Sequence, residues 1–185
     1  MLQIMVPRTE GFDEITEEFI DIPACNLHLE HSLLSISKWE SKWNVPFIEP
    51  DSKDKKSKKT TEQMLDYVRC MTLNKNVPES AYQALTDDNW KEINAYIKAP
   101  MTATTIREFP GMQKNNEIIT SELIYFWMIS FNIPFECEKW HINRLITLIL
   151  VCNAKNNPKK MSKQEILAHN RNLNEARKKA LGTKG

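Results

Sequence analysis

The residue types best suited to chemistry in this chain are its thiols and imidazoles. Cys25, His28 and His31 follow one another at intervals of three, and Cys137 stands four residues before His141. Either spacing places the groups on one face of a helical turn, where soft sulfur and nitrogen donors could share a zinc ion. Neither cluster supplies four ligands by itself, and Cys152 would lie about 22 Å from Cys137 along a straight helix at ~1.5 Å per residue. A zinc site would have to join the two clusters across the fold. Buried thiols and hydrogen-bonded histidines are the simpler expectation, with no metal and no cofactor. Cys25, Cys70, Cys137 and Cys152 show no Cys-x-x-Cys spacing, so disulfides are not expected.

Hydrolytic chemistry has less support. There is no Gly-x-Ser-x-Gly elbow and no His-Glu-x-x-His pair, and the four glycines build no phosphate-cradling loop. Glu136 and Glu138 flank Cys137 near an expected helix start, where acidic side chains normally complement the helix dipole. No catalytic residue is assigned, and the chain reads as a non-enzyme.

Binding chemistry is better represented. Residues 1–50 carry 3 basic and 9 acidic side chains, residues 51–152 carry 13 of each, and residues 153–185 carry 9 basic and 2 acidic. The basic tail, with Lys155, Lys159, Lys160, Lys163, Arg171, Arg177, Lys178, Lys179 and Lys184, would attract phosphate, but it has no aromatic residue to stack on bases. A solvated basic helix, or one that docks on an acidic protein surface, therefore ranks above a nucleic-acid binder, and the acidic N-terminal region of a second copy is one such surface. Trp39 and Trp43, four apart and followed by Phe47, fall outside the strongest helical periodicities and are the candidates for an exposed interaction hot spot. Trp90, Trp127 and Trp140 read as anchors of a core or an interface.

The elements that must position these groups follow from periodicity. Residues 1–50 are acidic and β-rich: Leu2 to Val6 and Leu27 to Leu34 alternate or are β-branched, with Pro7, Gly11 and Pro23 between them. A polar, lysine-rich loop spans 51–59. Residues 60–152 form a helical core. Its first helix starts at a Thr60/Gln63 capping box, and a second starts near Thr86 and buries Trp90, Ile93 and Ile97 before Pro100. Met101 to Ile106 reads as extended and Gly111 to Asn116 as a polar loop.

From Ile118 to Cys152 an aromatic-rich run that is apolar nearly all round, a stop at Asn132 and Pro134, and a second amphipathic segment predict a buried helical hairpin. The second helix would present Cys137, His141, Leu145, Leu148 and Cys152 on one stripe. Residues 153–185 predict a basic helix that opens on Ser162 and Glu165 and closes at Gly182. The fold class is α+β, with short N-terminal strands packed on a mainly helical C-terminal half. An apolar fraction of 41% over 185 residues is enough to close a core. No apolar run is long enough to cross a bilayer, and Met1 to Pro7 lacks the features of a signal peptide, so an intracellular protein without a membrane partner is expected.

Three segments together resemble a known family. Trp39-Glu40-Ser41-Lys42-Trp43 with Pro46-Phe47, the block from Asn132 to Leu145, and the ending from Met161 to Gly185 are similar to the tail assembly chaperones of long-tailed, siphovirus-like bacteriophages. The resemblance covers about Leu27 to Gly185. It implies a protein that binds the long helical tape-measure protein in the cytoplasm of the infected host and keeps it from aggregating while the tail tube polymerises. It also implies absence from the finished particle. Two other readings stay open: a structural virion protein of the tail or neck, and a basic accessory protein that binds DNA.

Overall fold

The computed structural model describes residues 1–13, 18–48, 59–104 and 118–156, together with 167, 170, 171, 174, 175, 177 and 182. The chain divides into two compact units, Met1–Cys152 and Asn153–Gly185. The first unit is α+β, as its patterning predicts.

Strands β1 (Leu2–Val6) and β4 (Cys25–Leu29) form an antiparallel ribbon, with Leu2 opposite Leu29, Ile4 opposite Leu27 and Val6 opposite Cys25. Alternation sends Ile4, Val6, Leu27 and Leu29 into the core and leaves Gln3, Met5 and Asn26 exposed. Between them, β2 (Thr9–Asp13) and β3 (Glu18–Ile22) make a second antiparallel pair, tied at its base by a bidentate Arg8–Asp21 contact at 2.8 and 2.9 Å. The outer edge of β4 is covered by the segment after the second helix: Leu73 N–H donates to His28 O at 2.8 Å, Glu30 N–H to Met71 O at 2.9 Å, and Asn74 Nδ2 to Asn26 O at 3.1 Å. A strand edge that would otherwise invite pairing is thereby closed.

The helices that follow are α1 (Leu33–Trp43), α2 (Thr61–Met71), the short α3 (Glu79–Gln83), α4 (Asp87–Lys98), α5 (Ser121–Ser130) and α6 (Ile142–Asn156), with a 3-10 helix at Phe135–Lys139. Capping explains most of their starts. Thr60 and Gln63 form the predicted reciprocal box on α2, and Thr86 with Asn89 does the same on α4. Helix α1 starts on a Ser32/Ser35 box, so Leu33 and Leu34 are helical rather than the end of a strand. Asn44, left-handed at φ 54°, closes α1.

Helix α1 is the hub, packing against α2, α5 and the 3-10 helix, while α4 packs on β1. Trp39, Ile36, Leu33, Tyr67, Val68, Met71, Ile93, Ile124, Met128 and Leu145 fill the core between them.

Several expectations need correction. The stretch expected as a helical hairpin does hold two helices, α5 and α6, but with a 3-10 helix between them: α5 stops in a Schellman motif, in which Asn132 is left-handed at φ 55°, Ile133 N–H donates to Met128 O at 2.8 Å and Asn132 N–H to Ile129 O at 3.1 Å. The chain then runs through the 3-10 helix, and α5 lies against α1. Cys137 and His141 precede α6 rather than sharing its stripe. Trp90, Ile97 and Trp127 are half-buried. Met101 adopts φ 50° ahead of a bend at Thr102 and Ala103, so Met101 to Thr104 turns instead of extending, while Thr105 and Ile106 lie outside the described residues. The loop expected at 51–59, apart from Lys59, the loop expected at 111–116 and most of the basic helix lie outside the described residues.

Candidate interaction surface

The three residues expected to form an exposed hot spot are brought together, but inside the protein. Trp39 is 0% exposed, and its indole N–H donates to Gln63 O at 2.8 Å. Trp43 and Phe47 are half-buried beside it, with ring centroids 6.3 and 5.2 Å from Trp39. Phe47 stacks on Tyr67 at 3.9 Å, Tyr67 meets His31 edge-on at 5.7 Å, His31 meets His141 at 5.0 Å, and His141 meets Tyr96 at 4.9 Å. One continuous row of rings thus links α1, α2, α4 and the approach to α6. Edge-to-face contacts of this kind stabilise a core beyond their buried area. The Trp39 and Trp43 spacing announced a helical face but not which way that face points.

The imidazoles in this row are buried and hydrogen-bonded. The Tyr67 hydroxyl meets His31 Nδ1 and lies 3.3 Å from Ser35 Oγ. Burial, reinforced by the facing His141, pushes His31 down to about 3. His141 Nδ1 accepts from Asn143 N–H at 3.3 Å, which leaves Nε2–H to donate to Tyr96 O at 3.0 Å. Burial lowers His141 as well, and Tyr67 and Tyr96 are raised by burial, so all four rings are neutral near pH 7. Cys25, Cys70, Cys137 and Cys152 are free thiols, and among the described residues no three His, Cys, Asp or Glu converge as metal ligands. The surface hollows described, about 750 Å³ along α4 beside Trp90 and Lys91 and about 380 Å³ between Arg8 and Leu85, contain none of the ring row.

Two buried carboxylates organise the neighbourhood of α1. Glu40 accepts from Phe47 N–H and from Ser121 N–H, each at 2.7 Å. Asp66 accepts from Lys42 Nζ and from Trp43 Nε1, the latter at 2.9 Å, with Arg69 Nη1 at 3.5 Å. Burial alone would raise Asp66, but hydrogen bonds from Lys42 and Trp43 and the charges of Lys42 and Arg69 outweigh it and hold the carboxyl below its usual value.

Large exposed apolar side chains occur singly at several places, Phe19 and Leu73 among them, and α5 carries two on one helix face. Ile124 and Met128 point into the core, whereas Phe126 is 60% and Ile129 63% exposed on the opposite face. Tyr125 shares that outward arc with them, three and four residues marking one side of a helix. Phe135, 55% exposed, lies with its ring 6.4 Å from Tyr125, whose hydroxyl donates to Glu138 Oε2 at 2.9 Å. Burial and the Glu138 carboxylate push the Tyr125 phenol up to about 12. The Schellman stop and the Glu40 bond to Ser121 tie both ends of this helix, and Phe135 on the 3-10 helix joins its outward face through Tyr125 to form a ledge of four side chains. The apolar pattern does not mark it, because a run apolar all round implies burial all round. The signal that could have marked the outward side is Glu122, one turn before Phe126.

Of the basic residues expected to bind a partner, Arg171 and Arg177 are exposed on helical backbone, and Arg171 Nε lies 3.8 Å from a Glu175 oxygen. Lys159, Lys160, Lys163, Lys178 and Lys179 lie outside the described residues. Among the described residues no helix is long and apolar enough to cross a membrane. No family model, no curated protein and no solved structure matches the chain.

Proposed function

We propose that this protein is a non-enzymatic assembly chaperone of the phage-tail kind, acting in the host cytoplasm by covering apolar helical surface on the tape-measure protein. The observation that carries the reading is the α5 ledge of Tyr125, Phe126, Ile129 and Phe135, with Phe126 and Ile129 more than half exposed on a helix whose other face is core. An apolar helix face held open in this way suits helix-against-helix recognition, in which i, i+3 and i+4 side chains of one partner fill the grooves of the other. The resemblance of the Trp39 to Phe47 and Asn132 to Leu145 segments to tail assembly chaperones supplies the identity of the client. The residues that interact with the client shift accordingly, from Trp39 and Trp43 to the outward face of α5.

Co-expression with the tape-measure protein of the same phage, followed by pulldown and mass spectrometry of purified virions, tests the reading. A client held in solution only when this chain is present, with the chain missing from virions, is expected. Abundant chain in mature particles would replace the chaperone with a structural tail or neck protein.

A further inference from the structure

The α5 ledge carries a charge pattern as well as an apolar one. Glu122 is exposed one turn before Phe126 on the same face. Glu136 is exposed next to Phe135, and Glu138 reaches the ledge through its hydrogen bond with Tyr125. Lys139 is the one basic residue of the intervening 3-10 segment. The apolar strip is therefore flanked by carboxylates at both ends.

That pattern discriminates among occupants. Two copies meeting ledge to ledge about a two-fold axis would bring each copy's carboxylates into the same interface, where like charges oppose association. An anionic lipid surface is disfavoured by the same charges. A strand would find side chains rather than a free backbone edge. A helix with an apolar ridge satisfies Phe126 and Ile129, and Lys or Arg beside that ridge satisfies Glu122 and Glu136.

We infer that the α5 ledge selects a basic amphipathic helix: an apolar i, i+3/i+4, i+7 ridge flanked by Lys or Arg. The inference rests on the proposed function and names the kind of client segment that would be bound.

The test uses two synthetic helical peptides of about 18 residues, long enough to populate helix in water. They share one leucine ridge, with Lys on the flanks of one and Glu on the flanks of the other. Titrated into the full chain, the Lys peptide is expected to bind about tenfold or more tightly than the Glu peptide, with the difference shrinking as salt rises. Phe126→Ser with Ile129→Ser should abolish binding of the Lys peptide, and Glu122→Lys with Glu136→Lys should invert the preference. Equal affinity for both peptides, or binding untouched by either double variant, would overturn the inference. Client capture without peptide preference defeats this inference alone, whereas peptide preference without client capture defeats the chaperone reading alone.

Discussion

Glu40 and Ser121, separated by 81 positions, are joined by a 2.7 Å hydrogen bond from the Ser121 amide to Glu40 Oε2. The other carboxylate oxygen holds Phe47 N–H at the same distance, so one buried side chain on α1 fixes both the strap after α1 and the first turn of α5. The carboxylate also sits at the positive end of the α5 dipole. Glu40→Ala leaves two backbone donors without this acceptor and should cost about 3 kcal/mol in chemical denaturation, because hydrogen bonds to charged groups are worth roughly 1.5 to 3 kcal/mol each. Glu40→Gln should cost less, since it keeps one acceptor oxygen.

Ser121 offers a control at the same place. Its hydroxyl is buried without a hydrogen-bond partner, while its amide carries the bond to Glu40. Ser121→Ala keeps the amide and removes the unsatisfied hydroxyl at a helical position, so stability should be unchanged or rise by up to about 1 kcal/mol. A loss as large as that of Glu40→Ala would show that the hydroxyl, not the backbone bond, holds the helix.

How far these relationships can be read from sequence depends on their range. The Thr60/Gln63 box, the helix start at Thr86 and the stop at Asn132 are decided within a few residues, and all three were legible. The Ser32/Ser35 box was equally local but was hidden by the apolar alternation of Leu27 to Leu34, which suggested a longer strand. The outward face of α5 was not legible, because ten residues with apolar groups on every side do not say which side α1 will cover. That side is settled by packing against α1, which lies far away in the chain and holds the Ser121 amide through Glu40. Trp39 is the mirror case: its type suits a hot spot, but contact with Tyr67 and Phe47 from other segments buries it.

The ring row gives the protein a pH dependence with a definite sign. His31 is held down to about 3 from 6.5, so between those values the unfolded chain binds a proton that the folded chain refuses. Stability is full above 6.5 and falls as pH drops through that window, by about 1.4 kcal/mol per pH unit for one group. His141, also lowered, acts in the same direction, and the loss of Asp66 pairing joins in once pH nears the carboxylate range. Urea denaturation at about pH 7 and about pH 5 should show a loss roughly 1 to 2 kcal/mol smaller in His31→Gln than in the native sequence. An identical loss in both would place the acid sensitivity elsewhere.

Trp39→Ala should destabilise by about 3 to 5 kcal/mol, as removal of a fully buried aromatic side chain does. It also removes the indole donor from Gln63 O. Trp43→Phe keeps most of the packing and loses only the donor to Asp66, at a cost of about 1 kcal/mol. Binding lost in a Trp39→Ala variant would consequently report unfolding, so partner assays must be read beside a denaturation curve. A Trp39→Ala protein as stable as the native one would contradict the burial of this ring.

The two faces of α5 separate stability from binding on a single helix. Ile124→Ala and Met128→Ala empty core positions and should each cost about 2 to 5 kcal/mol. Phe126→Ser and Ile129→Ser change exposed groups and should stay within about 0.5 kcal/mol of the native stability. On the proposed function, capture of the tape-measure protein should respond in the opposite sense: lost in the Phe126→Ser, Ile129→Ser double variant although it is fully folded, and retained by Met128→Ala under conditions where it remains folded. If the outward variants prove as destabilising as the inward ones, the ledge is packed against part of the chain itself and is not available to a client. If they are stable and still capture the client, recognition lies on another surface, and the exposed Arg171 and Arg177 become the next positions to reverse.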